Sequence, residues 1–285
     1  VQRRAFGNED LQPEKSDNYS IGTVLTPTPN LTFTIDFFKI EKKDTIGLFG
    51  ETNHTALDLL QRLEAGAGNC GSVSGNPLVE RGEAEADDTD IYAGAGLCPV
   101  GEVEAVNDTY VNLDTRIVEG FDFGVYFDLP TDIGDWAFSW RGSIYTRYDQ
   151  EPGPAAQILI DGFEAGIIDS QPEGFGDILR KDGNQEEKMN ASVRWDRNAW
   201  SASLAWFYLS DFLDLDAQSN IDGSYWKVSS HSYFNASADY RFDVFGSQTR
   251  VRLGVRNLTN ERAPLADGYF GFANDAHNDF GRSYY

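Results

Sequence analysis

Apolar and polar residues alternate with a period of two along most of the chain, a pattern that predicts strands rather than helices. Leu31, Phe33, Ile35 and Phe37 are separated by Thr32, Thr34 and Asp36, and Phe121, Phe123, Val125 and Phe127 are interleaved with Asp122, Gly124 and Asp128. The same alternation carries Trp136, Phe138 and Trp140, then Ala202, Leu204, Trp206 and Tyr208, then Phe234, Ala236, Ala238 and Tyr240. Val251, Leu253 and Val255 oppose Arg250, Arg252 and Arg256. Three arginines on one face of one strand need water, so this strand has an apolar side and a wet side.

Segment length separates two all-β readings. Soluble sandwiches use strands of about five or six residues, whereas Asn30 to Ile46, Tyr110 to Leu129, Asp135 to Asp149 and Tyr225 to Val244 all exceed the roughly 9 to 11 residues that cross a bilayer. Short and long connections also alternate. Thr26–Asn30, Pro130–Gly134, Asp196–Ala199 and Phe245–Ser247 are short, while Phe49–Asn107, Gln150–Glu186, Asp211–Ser224 and Glu261–Phe280 are long and rich in Gly, Asp, Asn or Pro. That asymmetry is the one found between periplasmic turns and extracellular loops. The fold class expected is all-β, an antiparallel up-and-down transmembrane β-barrel, present as roughly nine or ten strands of a larger barrel. In it Phe33, Phe123, Phe138, Leu204, Leu253 and Val255 face lipid, and Thr34, Asp122, Ser203, Arg252 and Arg256 face the lumen. Within the first long loop Leu57, Leu60 and Leu63 share a stripe, which predicts a short helix over Thr55–Glu64.

Composition narrows the function. The 285 residues are 40% hydrophobic and 13% aromatic, enough for a large ordered structure, and 28 Gly and 13 Tyr against one Met favour strands and turns. A formal charge of -23 repels phosphate backbones, so nucleic acid is excluded as a partner. No apolar run reaches the roughly 18 residues of a spanning helix, which leaves a barrel open. Cys70 and Cys98 lie in one Gly-rich acidic stretch and are expected to form a disulfide, worth roughly 3 kcal/mol on the chain-entropy model.

Catalytic and cofactor chemistry is not expected. His54, His231 and His277 are scattered, with no metalloprotease motif and no nucleophile triad. The acidic groups Asp87, Asp88, Asp90 and Asp214, Asp216, Asn220, Asp222 lack the spacing of a calcium loop, and Gly66–Gly75 is not placed as a phosphate loop. No metal or cofactor is assigned. Seven Asn-x-Ser/Thr sites would be glycan acceptors only in a secreted eukaryotic protein.

Three segments resemble the barrel of TonB-dependent outer-membrane receptors. Asn8–Gly22 is similar to a family strand opening carried by Leu11, Pro13, Glu14, Ser16, Tyr19 and Gly22. Arg252–Pro264 resembles the penultimate strand and its turn, with Asn257 as the turn residue, and Gly281–Tyr285 resembles the start of the last strand. Val118–Asp122 is like the family's glycine-marked start of a long strand. On this resemblance residues 1–285 are the C-terminal portion of the receptor barrel, with residues 49–107 as a long extracellular loop. The plug domain and TonB box are then expected to lie in sequence before Val1.

The resemblance implies a receptor in the bacterial cell outer membrane. It would import a scarce solute, a siderophore–iron complex or an oligosaccharide, with energy transmitted by TonB through the absent N-terminal region. Outer-membrane lipid is the other partner implied. The substrate-contact candidates are the loop aromatics Phe49, Tyr92, Tyr225, Trp226, Tyr269, Phe270 and Phe272, because aromatic faces stack on sugars and catechols. Tyr225 and Trp226 fit an interfacial aromatic girdle equally well. A passive porin or structural barrel, and a soluble secreted glycan-binding β-sandwich, remain the alternatives.

Overall fold

The computed structural model describes residues 2–66, 70, 73–169, 172–215, 224–266 and 271–285. In chain order the elements are β1 (Gln2–Phe6), β2 (Lys15–Thr28), β3 (Leu31–Lys43), β4 (Thr45–Gly47), α1 (Glu51–Ala65), β5 (Val79–Arg81), α2 (Ala86–Gly94), β6 (Val103–Thr109) and β7 (Val111–Leu113). They continue with β8 (Arg116–Thr131), β9 (Gly134–Gln150), α3 (Pro154–Glu164), β10 (Gly176–Asp177), β11 (Glu187–Arg197), β12 (Trp200–Leu209), β13 (Phe212–Asp214), β14 (Trp226–Val228), β15 (His231–Val244), β16 (Ser247–Arg256) and β17 (Ser283–Tyr284). Two compact units result. One comprises Val1–Asp17, Glu41–Ile117 and Asp149–Asp177, the other Asn18–Ile40, Val118–Tyr148 and Ile178–Tyr285.

The long strands form one antiparallel sheet in the order β17-β16-β15-β12-β11-β9-β8-β3-β2, with the short β10 on β9. Four tight connections join neighbours at one end, at residues 29–30, 132–133, 198–199 and 245–246, matching the short turns expected from the sequence. At the last of these Phe245 and Gly246 both take positive φ, 50° and 81°, the two-residue hairpin whose twist suits the flanking strands.

Register sorts the side chains. Phe138 pairs with Val193, Val193 with Leu204, Leu204 with Ala236, and Ala236 with Val255, an apolar row across five strands. The adjacent row, Ala137, Arg194, Ser203, Ser237 and Gly254, points to the opposite face. Ring contacts bring Phe123 onto Trp140, Phe127 onto Phe138 and Phe37 beside Phe121, so the alternating residues of β3 and β8 extend the apolar face. All six apolar residues read as lipid-facing therefore share one face and all five polar ones the other.

That apolar face is left exposed by the chain itself: Phe138 is 39% accessible and Leu253 71%. A sandwich would cover this face with a second sheet; a barrel wall gives it to lipid. Toward the short turns Trp136, Trp195, Trp200 and Tyr240 cluster on it, with Trp136 6.3 Å from Trp195 and Trp200 4.5 Å from Tyr240. This is the placement of an interfacial aromatic band.

The first unit holds what the alternation did not disclose. The region 49–107, read as strand-poor, contains α1, β5, α2 and β6, and β6 pairs in parallel with β1, Gln2 opposite Ala105 and Phe6 opposite Thr109. The expected helix starts earlier, at Glu51, and buries Leu60 against Leu159 of α3 and Ile168, flanked by Leu57, Leu63 and Phe163. Helix α3 was not expected. Pro154 at its first turn, where no N–H is lost, is the signal that could have marked it.

Three of the long segments are also shorter as strands than read. β3 stops at Lys43 because Asp44 adopts a left-handed φ of 55°, and β4 then pairs with β7, so Tyr110–Leu129 is divided at residues 114–115. Tyr225–Val244 is divided at residues 229–230, with β14 pairing β13 instead of continuing into the sheet. Asn257 does take the turn position, at φ 51°.

Candidate functional site

The polar face of the sheet is paired side chain to side chain across neighbouring strands. Ser143 donates to Asp122 at 2.5 Å, Arg141 Nε to Asn190 at 2.9 Å, and the hydroxyls of Ser139 and Ser192 and of Ser203 and Ser237 meet at 2.8 and 2.9 Å. Asp239 accepts from Nε of both Arg250 and Arg252 at 2.7 Å, which gives two of the three arginines of β16 a shared partner. The third, Arg256, lies 5.3 Å over the ring of Tyr285, and that ring occupies the space a side chain at residue 254 would fill, so Gly254 is required there.

Between these pairs the face carries clefts. One of about 520 Å³ is walled by Asp122, Tyr126, Arg141, Lys188, Asn190 and Tyr233. A second of about 600 Å³ shares Asp122, Ser143 and Lys188 with it and adds Tyr145 and Gln185. Gln185 is buried and its amide nitrogen finds no acceptor among the described residues, so a donor faces this cleft unused. A third, about 630 Å³, lies where the loop-side end of β15 meets the segment 276–283. Charged groups of both signs and aromatic faces suit polar, chelated or glycosidic solutes rather than apolar ones.

The third cleft contains the two histidines that the sequence left unassigned. His231 opens β15, and its ring centroid is 5.4 Å from that of His277, edge to face; His277 stacks on Phe212 at 5.9 Å. Burial and the neighbouring His231 push the His277 imidazole down to about 4, while burial lowers His231 against the opposing pull of Glu261 and Asp279. An unfolded loop would protonate His277 near 6.5, so between 6.5 and about 4 the detached segment binds a proton that the docked one refuses. Docking of residues 271–283 should therefore weaken as pH falls through that window and not change above it. Hydrogen exchange of this segment is the measurement; acid loosening that persists in His277→Phe would assign it to other groups.

The first unit has its own buried polar network. Asp108, fully buried, accepts from Arg3, from the Gly50 N–H and from His54 Nε2, and Asn76 contacts His54 Nδ1 at 3.1 Å. Among the described residues no hydroxyl or thiol nucleophile joins this set, and its geometry ties β1, α1 and β6 together. Cys70 and Cys98 are disulfide-bonded, linking the segment after α1 to the one after α2.

The loop aromatics divide between the units. Phe49 packs on His54 and Phe175 against the helical core, and Tyr92 lies half-buried on α2. In the other unit the Trp226 indole N–H donates to the Leu265 carbonyl at 2.9 Å, and Tyr225 and Phe272 are half-buried. None of these five walls the three clefts of the polar face. Tyr269 and Phe270, and Asp216, Asn220 and Asp222 of the acidic loop, lie outside the described residues. The cleft-lining residues Lys188, Arg141 and Gln185 were not singled out from the sequence, although Arg141 falls in the long segment Asp135 to Asp149.

An antiparallel wall with one lipid-suited face, one polar face, tight turns at one end and elaborate connections at the other is the wall of an outer-membrane barrel. The chain belongs to the TonB-dependent receptor family: the family described as TonB dependent receptor-like, beta-barrel matches residues 2–258. These barrels lie in the bacterial outer membrane.

Solved structures agree in fold. The siderophore receptor PirA of Acinetobacter baumannii matches 98% of this chain with a TM-score of 0.53 at 16% identity. A variant of the ferric enterobactin receptor PfeA of Pseudomonas aeruginosa matches 97% with 0.53 at 16%, and the FrpB iron transporter of Neisseria meningitidis 98% with 0.50 at 12%. The chain spans 32%, 31% and 32% of those proteins respectively. No curated protein matches its sequence.

Proposed function

We propose that this chain is the C-terminal part of the barrel of an outer-membrane uptake receptor. It would import a scarce solute, with an N-terminal plug and TonB supplying gating and energy. The observation that supports this reading most is the continuous polar face with its clefts of 520 to 630 Å³, which offers paired charges, hydroxyls and aromatic rings along one side of the wall. The structural neighbours are named as receptors for siderophores and iron, which favours a metal chelate over an oligosaccharide as the solute. A passive porin would need no TonB.

The test is solute uptake by cells carrying the complete receptor, with and without TonB. Uptake that survives loss of TonB would defeat the energised reading and favour the passive barrel. In the same receptor, removal of residues 51–102 should leave a heat-modifiable, inserted barrel, since the sheet does not pair with that segment. Solute affinity should fall by roughly tenfold or more if the segment contributes binding contacts, as functional loops on a rigid scaffold do. Unchanged affinity would remove the segment from the binding site.

A further inference from the structure

We propose that His231 and His277, with Arg256 and Arg282 beside them, form a site for a divalent metal of the copper, zinc and nickel class held in an anionic chelate. The inference rests on the uptake reading above and narrows its solute class. Its starting point is His277, only 4% exposed and lining the third cleft, with neither ring nitrogen hydrogen-bonded among the described residues. A buried imidazole normally satisfies at least one nitrogen, so two idle nitrogens beside a cleft of about 630 Å³ mark a missing partner.

The second imidazole is in place. With metal–nitrogen bonds of about 2.1 Å a metal lies about 3.2 Å from each ring centroid, so rings 5.4 Å apart are near enough to share one ion once a nitrogen of each is turned to it. Imidazole suits borderline divalent ions, whereas a ferric ion already enclosed by hard oxygen donors gains nothing from it.

Two imidazoles alone are too few donors for a bare ion, and no group of three or more His, Cys, Asp or Glu side chains suited to a metal occurs among the described residues. The remaining ligands must come with the metal. The cleft is far larger than an ion, and its wall supplies what an anionic chelator would contact: Arg256, Arg282, Asn235 and Asn278. Arg256 and Arg282 form no ion pair with a carboxylate among the described residues, so both charges remain available. Guanidinium forks bind carboxylates bidentately while the imidazoles take the open metal positions.

The test uses the complete detergent-solubilised receptor, without a histidine tag, and copper(II)–iminodiacetate as the probe. Electron paramagnetic resonance should show coupling to two imidazole nitrogens, identified by nitrogen-15-labelled histidine in the unaltered protein. His231→Phe and His277→Phe should each remove one coupling and weaken binding by about tenfold or more. Arg256→Gln with Arg282→Gln should weaken the chelate by a similar factor and leave both imidazole couplings in the complex that still forms. Absence of imidazole coupling in the unaltered protein, or couplings unchanged in both histidine variants, would overturn the site. If the probe does not bind at the histidines while another solute is taken up in a TonB-dependent way, this inference fails alone. If the complex forms but uptake ignores TonB, the site stands and the energised reading fails.

Discussion

Replacing Leu253 with arginine in the complete receptor should prevent assembly of the barrel. Leu253 sits between Val251 and Val255, opposite Ala238, in the apolar face, and it is 71% exposed because nothing in the chain covers it. In a bilayer that exposure is to hydrocarbon, where an arginine near the midplane costs roughly 2 to 4 kcal/mol. The contrast is Ser203→Arg on the polar face. It loses one hydroxyl pair with Ser237, about 1 kcal/mol, and places its charge in water. Heat-modifiable mobility reads both variants: Leu253→Arg should lose the compact band and Ser203→Arg retain it. The opposite outcome would mean that the two faces have been assigned the wrong way round.

Asp58→Ala is expected to unfold the first unit locally while the sheet persists. Asp58 is fully buried and accepts from Arg62 Nε at 3.1 Å, from Arg81 Nε at 2.8 Å and from the Asn76 N–H at 2.9 Å. Deleting the carboxylate strands two mostly buried guanidinium groups and one buried N–H, and breaking such a set from one side costs about 3 to 5 kcal/mol. The small apolar cluster of Leu60, Leu159 and Ile168 has little stability to spare against a loss of that size. Limited proteolysis should open cleavage sites between α1 and β6, with heat-modifiable mobility unchanged. Asp58→Asn, which keeps an acceptor but removes the charge, should fall between the two. Protease resistance equal to the unaltered receptor would show that Asp58 does not hold this unit together.

How much of this was legible differs sharply between the two units. Period-two alternation is a local property, written in neighbouring residues, so Phe138, Leu204 and Val255 and their polar neighbours could be assigned to faces without any knowledge of pairing. The turns were legible for the same reason: each joins adjacent strands through two residues, and the breakers Pro29, Asn30 and Gly246 lie at them. Even the leucine stripe of α1 was visible, because a helix repeats its face every three or four residues.

Other features depend on residues that meet only after folding. β1 pairs with β6 across about a hundred residues, and the parallel ladder leaves no mark on either short segment alone. Asp58 and Arg81 are separated by 23 residues and Asp108 and His54 by 54, so nothing local in the sequence pairs them. The five described loop aromatics lie away from the three clefts for a related reason: an aromatic in a loop stacks on whatever is nearest, and for Phe49 that is the helical core.

The sequence by itself therefore determined the strand-and-turn meander, the two-faced wall and its membrane setting, since each follows from side-chain period and connection length. Tertiary structure alone decided that α1, β5, α2 and β6 form within residues 49–107 and that β6 pairs with β1. It also decided which polar residues surround each cleft, and that His231 and His277 stand 5.4 Å apart across 46 residues of chain. The physical reason is that period is fixed by backbone geometry at each residue, whereas proximity is fixed by register, and register is set only when distant strands and loops close on one another.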